Sequence, residues 1–279
     1  MRRGERSPGV ENVQAMSGLP QEGEPRGSSG VVSGPPYRVN AHFWPGFGLA
    51  GCPRMDGKKV LEIGCGEGNR SLEAVAHGAA RVVGLDPSAS SLEVGRKLLA
   101  AAPADWRSRL DFFAGTIETL PAERFDLILC EDTLEHVMNV PELLAEVRRR
   151  LLPGGRFYLG FGPLYDAPDG DHGWMRAVLP GRKYFPWPWG HVLLEGLAFR
   201  RLSKLHGHPV ARTHDWPYLN LNRLTRAEYE EMFRRCEMRL LYCHANHVQS
   251  MKGRLFAAAA RLPFLSRYFT INMHLVFTV

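Results

Sequence analysis

The sequence predicts a doubly wound α/β fold, with helices covering both faces of a mostly parallel sheet. Three observations carry that expectation. Short apolar runs alternate with helical segments along residues 59–161, and turn signals separate them. A glycine cluster joins the first run to the first helix. Phe125–Cys130 is apolar without interruption after Asp126, as a strand covered on both faces requires.

Taken in order, Lys59–Ile63 reads as a strand that ends in glycines, and Arg70–His77 as the helix that follows. Arg81–Leu85 is a second strand, ended by Asp86-Pro87. Ser88–Ala101 is a helix with Ser88 as its N-cap. Leu110–Phe113 and Phe125–Cys130 are the third and fourth strands. Pro141–Leu151 is a helix with proline in its first turn, stopped by Pro153-Gly154-Gly155, and Arg156–Phe161 is the fifth strand. Thr225–Cys236 is a helix opened by a capping box of Thr225 and Glu228. Arg239–Ala245 and Thr270–Val279 close the chain as strands.

Three stretches fall outside this rhythm. Residues 1–38 are rich in Gly, Ser, Pro and Glu with no apolar period, and read as a disordered tail before a core at 39–161. The aromatic segment His42–Phe47 is too broken by Pro45 and Gly46 for a long helix. Residues 162–222 hold seven prolines with Trp174, Trp187, Trp189 and Trp216 among them. Disordered segments are poor in aromatics, so this stretch reads as an ordered cap over a substrate site, with 223–279 returning to the core.

The chain has 279 residues, 44% of them hydrophobic and 23% charged, which is ordinary for one large globular domain. Its five cysteines are scattered and include no Cys-x-x-Cys pair, which supports neither a disulfide framework nor a thiolate zinc site and suits a reducing cytoplasm. The N-terminus lacks the apolar run of a secretory signal. The net charge of +6 is uneven: residues 172–279 carry 16 Lys and Arg against 6 Asp and Glu, with eight of the eleven histidines. That third suits an anionic partner, or is a solvated surface. Met251–Phe269 mixes basic with apolar residues in the manner of an interfacial helix, so peripheral membrane contact is one expectation. Pro263 argues instead for a plain connection between the last two strands.

The chemistry begins at Glu62-Ile63-Gly64-Cys65-Gly66-Glu67-Gly68. Glycines between strand and helix let a ligand approach the backbone at the helix N-terminus. Their Gly-x-Gly-x-Gly spacing differs from the Gly-x-Gly-x-x-Gly of dinucleotide folds, which disfavours a nicotinamide oxidoreductase. Glu62 suits a cofactor with a cationic amino group, and Asp86, at the end of the second strand, suits ribose hydroxyls.

These residues carry a resemblance. Val60–Gly68 is similar to the first motif of class I S-adenosylmethionine-dependent methyltransferases of the ubiquinone-biosynthesis-like type, and Val83-Gly84-Leu85-Asp86 resembles their second. Phe125–Ile128, Leu134–Val137 and Leu151–Gly155 resemble later parts of the same domain, so the likeness spans residues 57–162. It implies a Rossmann-like, mostly parallel seven-stranded sheet with a C-terminal antiparallel strand, and S-adenosyl-L-methionine as cofactor. It further implies that Glu62, Gly64, Cys65, Gly66 and Gly68 hold the methionine moiety and that Asp86, followed by Pro87, holds the ribose. Ile117 would meet adenine through its backbone amide. Thr116 stands where the family usually has an acidic residue, and Glu131 would face the cofactor.

Methyl transfer is an in-line displacement, so alignment and sometimes one base suffice. His136, His172 and His191 are the candidate bases, each against a structural alternative. Asp166, Asp169, Asp171 and His172 match no closed metal loop and read as a turn-rich surface. Glu131-Asp132-Thr133 stands where nucleobase amine methylation would require Asn/Asp-Pro-Pro-aromatic, and no nucleic-acid module is present. The expected acceptor is a small molecule, a sugar or a lipid-linked compound. The alternative is a catalytically silent cofactor-binding partner.

Overall fold

The computed structural model describes residues 37–38, 43–172, 188–207, 221–246 and 251–279, all within the unit Pro35–Val279. Most of the tail expected at 1–38 lies outside those residues. Its last two are packed rather than loose: Tyr37 meets Trp106 with ring centroids 6.3 Å apart, and the Arg38 amide donates to Asn69 Oδ1 at 2.7 Å. The aromatic segment forms a single turn, α1 (Phe43–Gly46), and a short 3-10 turn at Gly48–Ala50.

The alternating elements follow as β1 (Lys59–Ile63), α2 (Asn69–Ala76), β2 (Arg81–Asp86), α3 (Ala89–Ala101), α4 (Ala104–Arg107), β3 (Leu110–Ala114), β4 (Phe125–Glu131), α5 (Val140–Arg150) and β5 (Leu151–Phe161). Beyond them lie α6 (Gly190–Leu193), α7 (Glu195–His206), α8 (Arg226–Arg235), β6 (Arg239–Ala245), α9 (Met251–Ala259), α10 (Pro263–Phe269) and β7 (Met273–Thr278). The expected caps are present. Ser88 accepts from the Ser91 amide at α3, and Thr225 and Glu228 close their capping box at α8.

Seven strands make one sheet in the order β3-β2-β1-β4-β5-β7-β6. The five strands β1–β5 pair in parallel; β7 pairs antiparallel with both β5 and β6. Alternation along each strand feeds two core layers. Leu61, Ile63, Ile128 and Phe157 pack with Val140, Leu144 and Val147 of α5 and Tyr229 and Phe233 of α8. Val60, Val82, Leu129 and Tyr158 pack with Leu72 and Val75 of α2 and with Phe43 and Phe47. Each such fully buried side chain contributes roughly 1.5–3 kcal/mol relative to exposure.

Two boundaries differ from expectation for physical reasons. The strand expected from Arg156 begins at Leu151, because Leu151 pairs with Phe125 before a register shift, so Pro153-Gly154-Gly155 lies in an irregular stretch of β5 rather than after a helix. The helix expected from Pro141 starts at Val140 with Asn139 as its N-cap, and His136 lies before it on a 3-10 turn, Leu134–His136.

Candidate active site

The strand order reverses between β1 and β4, and in open α/β sheets the ligand crevice lies beyond the strands' C-terminal ends at such a switch. There the structure has a cleft of about 290 Å³, lined by Arg38, Glu62, Gly64, Cys65, Asn69, Arg70, Glu131 and Asp132.

Glu62 is 3% exposed, and Ser71 Oγ donates to its Oε2. Burial pushes its carboxyl up to about 8, against the pull of the Ser71 hydrogen bond. A cation brought beside it therefore favours the ionised form. The loop behind it is fixed by the Gly64 and Cys65 amides, which both donate to the Leu85 carbonyl at 2.8 and 3.0 Å. Gly64 sits at φ +70°, where a Cβ would stand 2.1 Å from Thr133 Oγ1, so only glycine fits. Gly66, at φ +52°, faces open space: a Cβ there would meet nothing within 4 Å. Gly68 caps α2 without a side chain, which leaves the positive end of that helix beside the cleft.

Asp86 is half-buried and joined to this loop. Its Oδ2 accepts from the Gly66 amide and its Oδ1 from the Ser88 amide, each at 2.8 Å. Each oxygen keeps a second lone pair for another donor. The Gly115 amide donates to the Asp86 carbonyl at 3.1 Å, which brings the turn after β3 alongside. In that turn Thr116 is exposed, while the Ile117 side chain is 2% exposed and packed in the core. Gly66, Gly68, Asp86, Pro87, Thr116 and Ile117 are not among the residues lining the cleft, although the Gly66 amide and Asp86 are joined by a hydrogen bond.

Glu131 lines the cleft, and a residue not singled out in the sequence holds it. Arg70, 2% exposed, donates from Nε to Glu131 Oε2 at 2.9 Å and from Nη2 to Oε1 at 3.0 Å. Its Nη1 donates to Glu73 at 2.5 Å, and its guanidinium lies 4.6 Å and 5.1 Å from the ring centroids of Phe43 and Trp44. Trp44 Nε1 in turn donates to Glu73 at 3.1 Å. Burial still raises the Glu131 carboxyl to about 7, against the attraction of Arg70. The sequence did hold a signal. An arginine in the first turn of a helix opposes the helix dipole, so it calls for carboxylate partners. Asp132 was also missed; it holds a left-handed φ of +43° at the cleft, where strained residues concentrate at ligand sites.

Of the three candidate bases, the structure brings two together. The rings of His136 and His172 meet edge to face with centroids 5.3 Å apart. His172 Nε2 lies 3.1 Å from the Pro163 carbonyl, which can only accept, so that nitrogen carries the proton. His191 does not join them. It is 3% exposed on α6, with Nε2 donating to the Tyr165 carbonyl at 2.5 Å, and this is a packing position. Trp189, one of the tryptophans of the expected cap, packs on Phe256 and Phe269 with centroids 6.0 and 5.0 Å away. Asp166 is spent on Arg267 at 2.6 Å. Trp174, Trp187 and Trp216 lie outside the described residues.

Residues 61–159 match the family model described as a methyltransferase domain. The chain carries a class I S-adenosylmethionine-dependent methyltransferase domain. Among curated proteins, a tRNA U34 carboxymethyltransferase of Idiomarina loihiensis is 31% identical over 47% of this chain and 39% of its own length. A mitochondrial ubiquinone biosynthesis O-methyltransferase of Schizosaccharomyces pombe is 36% identical over 38% of each chain. The chain thus spans about two fifths of the length of these relatives. A solved S-adenosylmethionine-dependent methyltransferase of Mesorhizobium loti shares the fold over 86% of this chain and 98% of its own, with TM-score 0.54 and 21% identity. The cofactor of the methyltransferase domain is S-adenosylmethionine, and the residues present fit it: the buried carboxyl of Glu62 lines the cleft, and the open backbone of Gly66 lies in the loop that leaves it.

Proposed function

We propose that this chain binds S-adenosylmethionine at the β1–β4 switch and methylates a small-molecule, sugar or lipid-linked acceptor. The observation that carries the reading is Glu62, a buried carboxyl lining the cleft at the start of the glycine loop, with Asp86 tied to the same loop through the Gly66 amide. The bound cofactor supplies an electrophilic methyl group on a sulfonium centre. Glu62 and the Gly64–Gly68 loop, Cys65 included, hold its amino-acid end, and the remaining lone pairs of Asp86 accept the ribose hydroxyls. Pro87, Thr116 and Ile117 flank the adenine. Glu131, fixed by Arg70, walls the site with a carboxyl that cannot swing away.

His136 and His172 serve the acceptor. With Nε2–H of His172 committed to Pro163, its Nδ1 is the basic nitrogen, and the pair takes the proton of the nucleophile. Residues 162–222 close over the acceptor and set its identity, since the chain leaving β5 emerges at the ligand end of the sheet. The excess of basic residues in 172–279 suits an anionic acceptor. All five cysteines are free, which supports a cytoplasmic setting.

The test is transfer of label. The full chain is incubated with methyl-labelled S-adenosylmethionine and fractionated extracts of water-soluble metabolites, lipids and RNA. Label in the metabolite or lipid fraction supports the reading. Label confined to RNA, or cofactor binding with no transfer to any fraction, refutes it.

A further inference from the structure

We propose that the helical hairpin α9–α10 docks on an anionic lipid bilayer. Its outward residues are apolar without serving the core: Leu255, Leu262 and Phe264 are 68%, 47% and 73% exposed. Leu262 and Phe264 stand at the turn between the two short helices, the shape that enters a headgroup layer. The inner side is anchored. Phe256 and Phe269 pack on Trp189, whose Nε1 donates to the Tyr268 carbonyl at 2.7 Å, and Arg267 holds Asp166. Asp166 belongs to the same loop, leaving β5, that carries His172, so the hairpin is fixed to the element that reaches the candidate bases.

Charge decides the occupant. No Asp or Glu follows Glu237 in the chain. Arg254 and Arg261 are exposed beside the apolar residues and form no ion pair among the described residues. A second copy on this face would bring like charges together with nothing to offset them, whereas an anionic bilayer offers both an apolar interior and opposite charge. No described helix is long and apolar enough to cross a membrane, so the contact is peripheral.

The experiment is flotation of the full chain with phosphatidylcholine vesicles, with or without phosphatidylglycerol. It reads binding alone and needs no methyl transfer, so it stands or falls apart from the enzymatic reading. The chain is expected to float with the anionic vesicles and to be released by salt. The double variant R254E/R261E should lower partition roughly 25-fold or more, at about 5-fold per basic side chain. L262S/F264S should also lose binding, with an unchanged melting temperature because both residues are exposed. Wild type that stays unbound on anionic vesicles overturns the proposal, as does equal binding by R254E/R261E. A concentration-dependent dimer that L262S/F264S abolishes, with no flotation, assigns the face to a second copy instead.

Discussion

Replacing Arg70 by Ala removes a cation that joins α2, β4 and the aromatic segment. The side chain of Glu131 is 15% exposed and that of Glu73 8%, so neither carboxylate is fully rehydrated when its partner goes. Breaking a buried pair from one side costs about 3–5 kcal/mol, and partial water access to Glu131 places this case near the lower end. The lost contacts with Phe43 and Trp44 add about 1 kcal/mol. At roughly 2–4 °C per kcal/mol for a domain of this size, the melting temperature should fall by about 8–16 °C. Glu131, already raised to about 7, rises further without Arg70 and takes up a proton near neutral pH. The deficit against wild type should therefore be smaller at about pH 5.5 than at about pH 8.5. Scanning calorimetry of both proteins at the two pH values is the assay. A loss under about 2 °C, or one that grows as pH falls, would refute the reasoning.

Stability of the unliganded protein should fall as pH rises. Burial lifts Glu62 and Glu135 each to about 8, so the folded state holds protons that the unfolded chain releases near its ordinary carboxyl value. Their contribution is complete below that value and is lost as pH rises through about 8; a melting temperature that climbs over this window in wild type but not in E135Q contradicts it. Two glycine variants should separate fold from site. G64A forces a Cβ onto Thr133 and should lower the melting temperature and cofactor affinity together. G66A, whose Cβ meets no protein atom within 4 Å in the loop proposed to hold the cofactor, should weaken S-adenosylmethionine binding at least tenfold with the smaller thermal loss; a larger thermal loss in G66A than in G64A would reverse the assignment.

The parallel core was legible because its signals are local. An apolar run, a glycine or Asp-Pro stop and a capped helix each lie within a few residues, as Ser88 and the Thr225–Glu228 box illustrate. Glu62, Gly64 and Cys65 could be assigned to the ligand end of the sheet for the same reason, since a strand's C-terminal end can be read from its pattern, whereas Glu131 rested on the family resemblance alone. What escaped depends on partners far apart in sequence. Arg70 matters through Glu131, 61 positions away, and through Phe43 and Trp44, which read only as a broken aromatic stretch. The irregular start of β5 follows from its pairing with Phe125 and not from its prolines and glycines. His191 and Trp189 looked suited to chemistry by residue type, yet Tyr165 and the Phe256–Phe269 pair claim them. Polar and aromatic residues are ambiguous until their neighbours are known.

The central claim is that S-adenosylmethionine binds where Glu62 and Asp86 meet the glycine loop. Isothermal titration of the cofactor into wild type and D86A tests it most directly. Asp86 keeps lone pairs for two further charge-assisted hydrogen bonds, and losing them should cost on the order of 1.5–3 kcal/mol, about 10- to 150-fold in affinity. The account predicts saturable one-to-one binding by wild type and a loss of that size in D86A, with the folded state retained. Absent binding by wild type, or unchanged affinity in D86A, contradicts it.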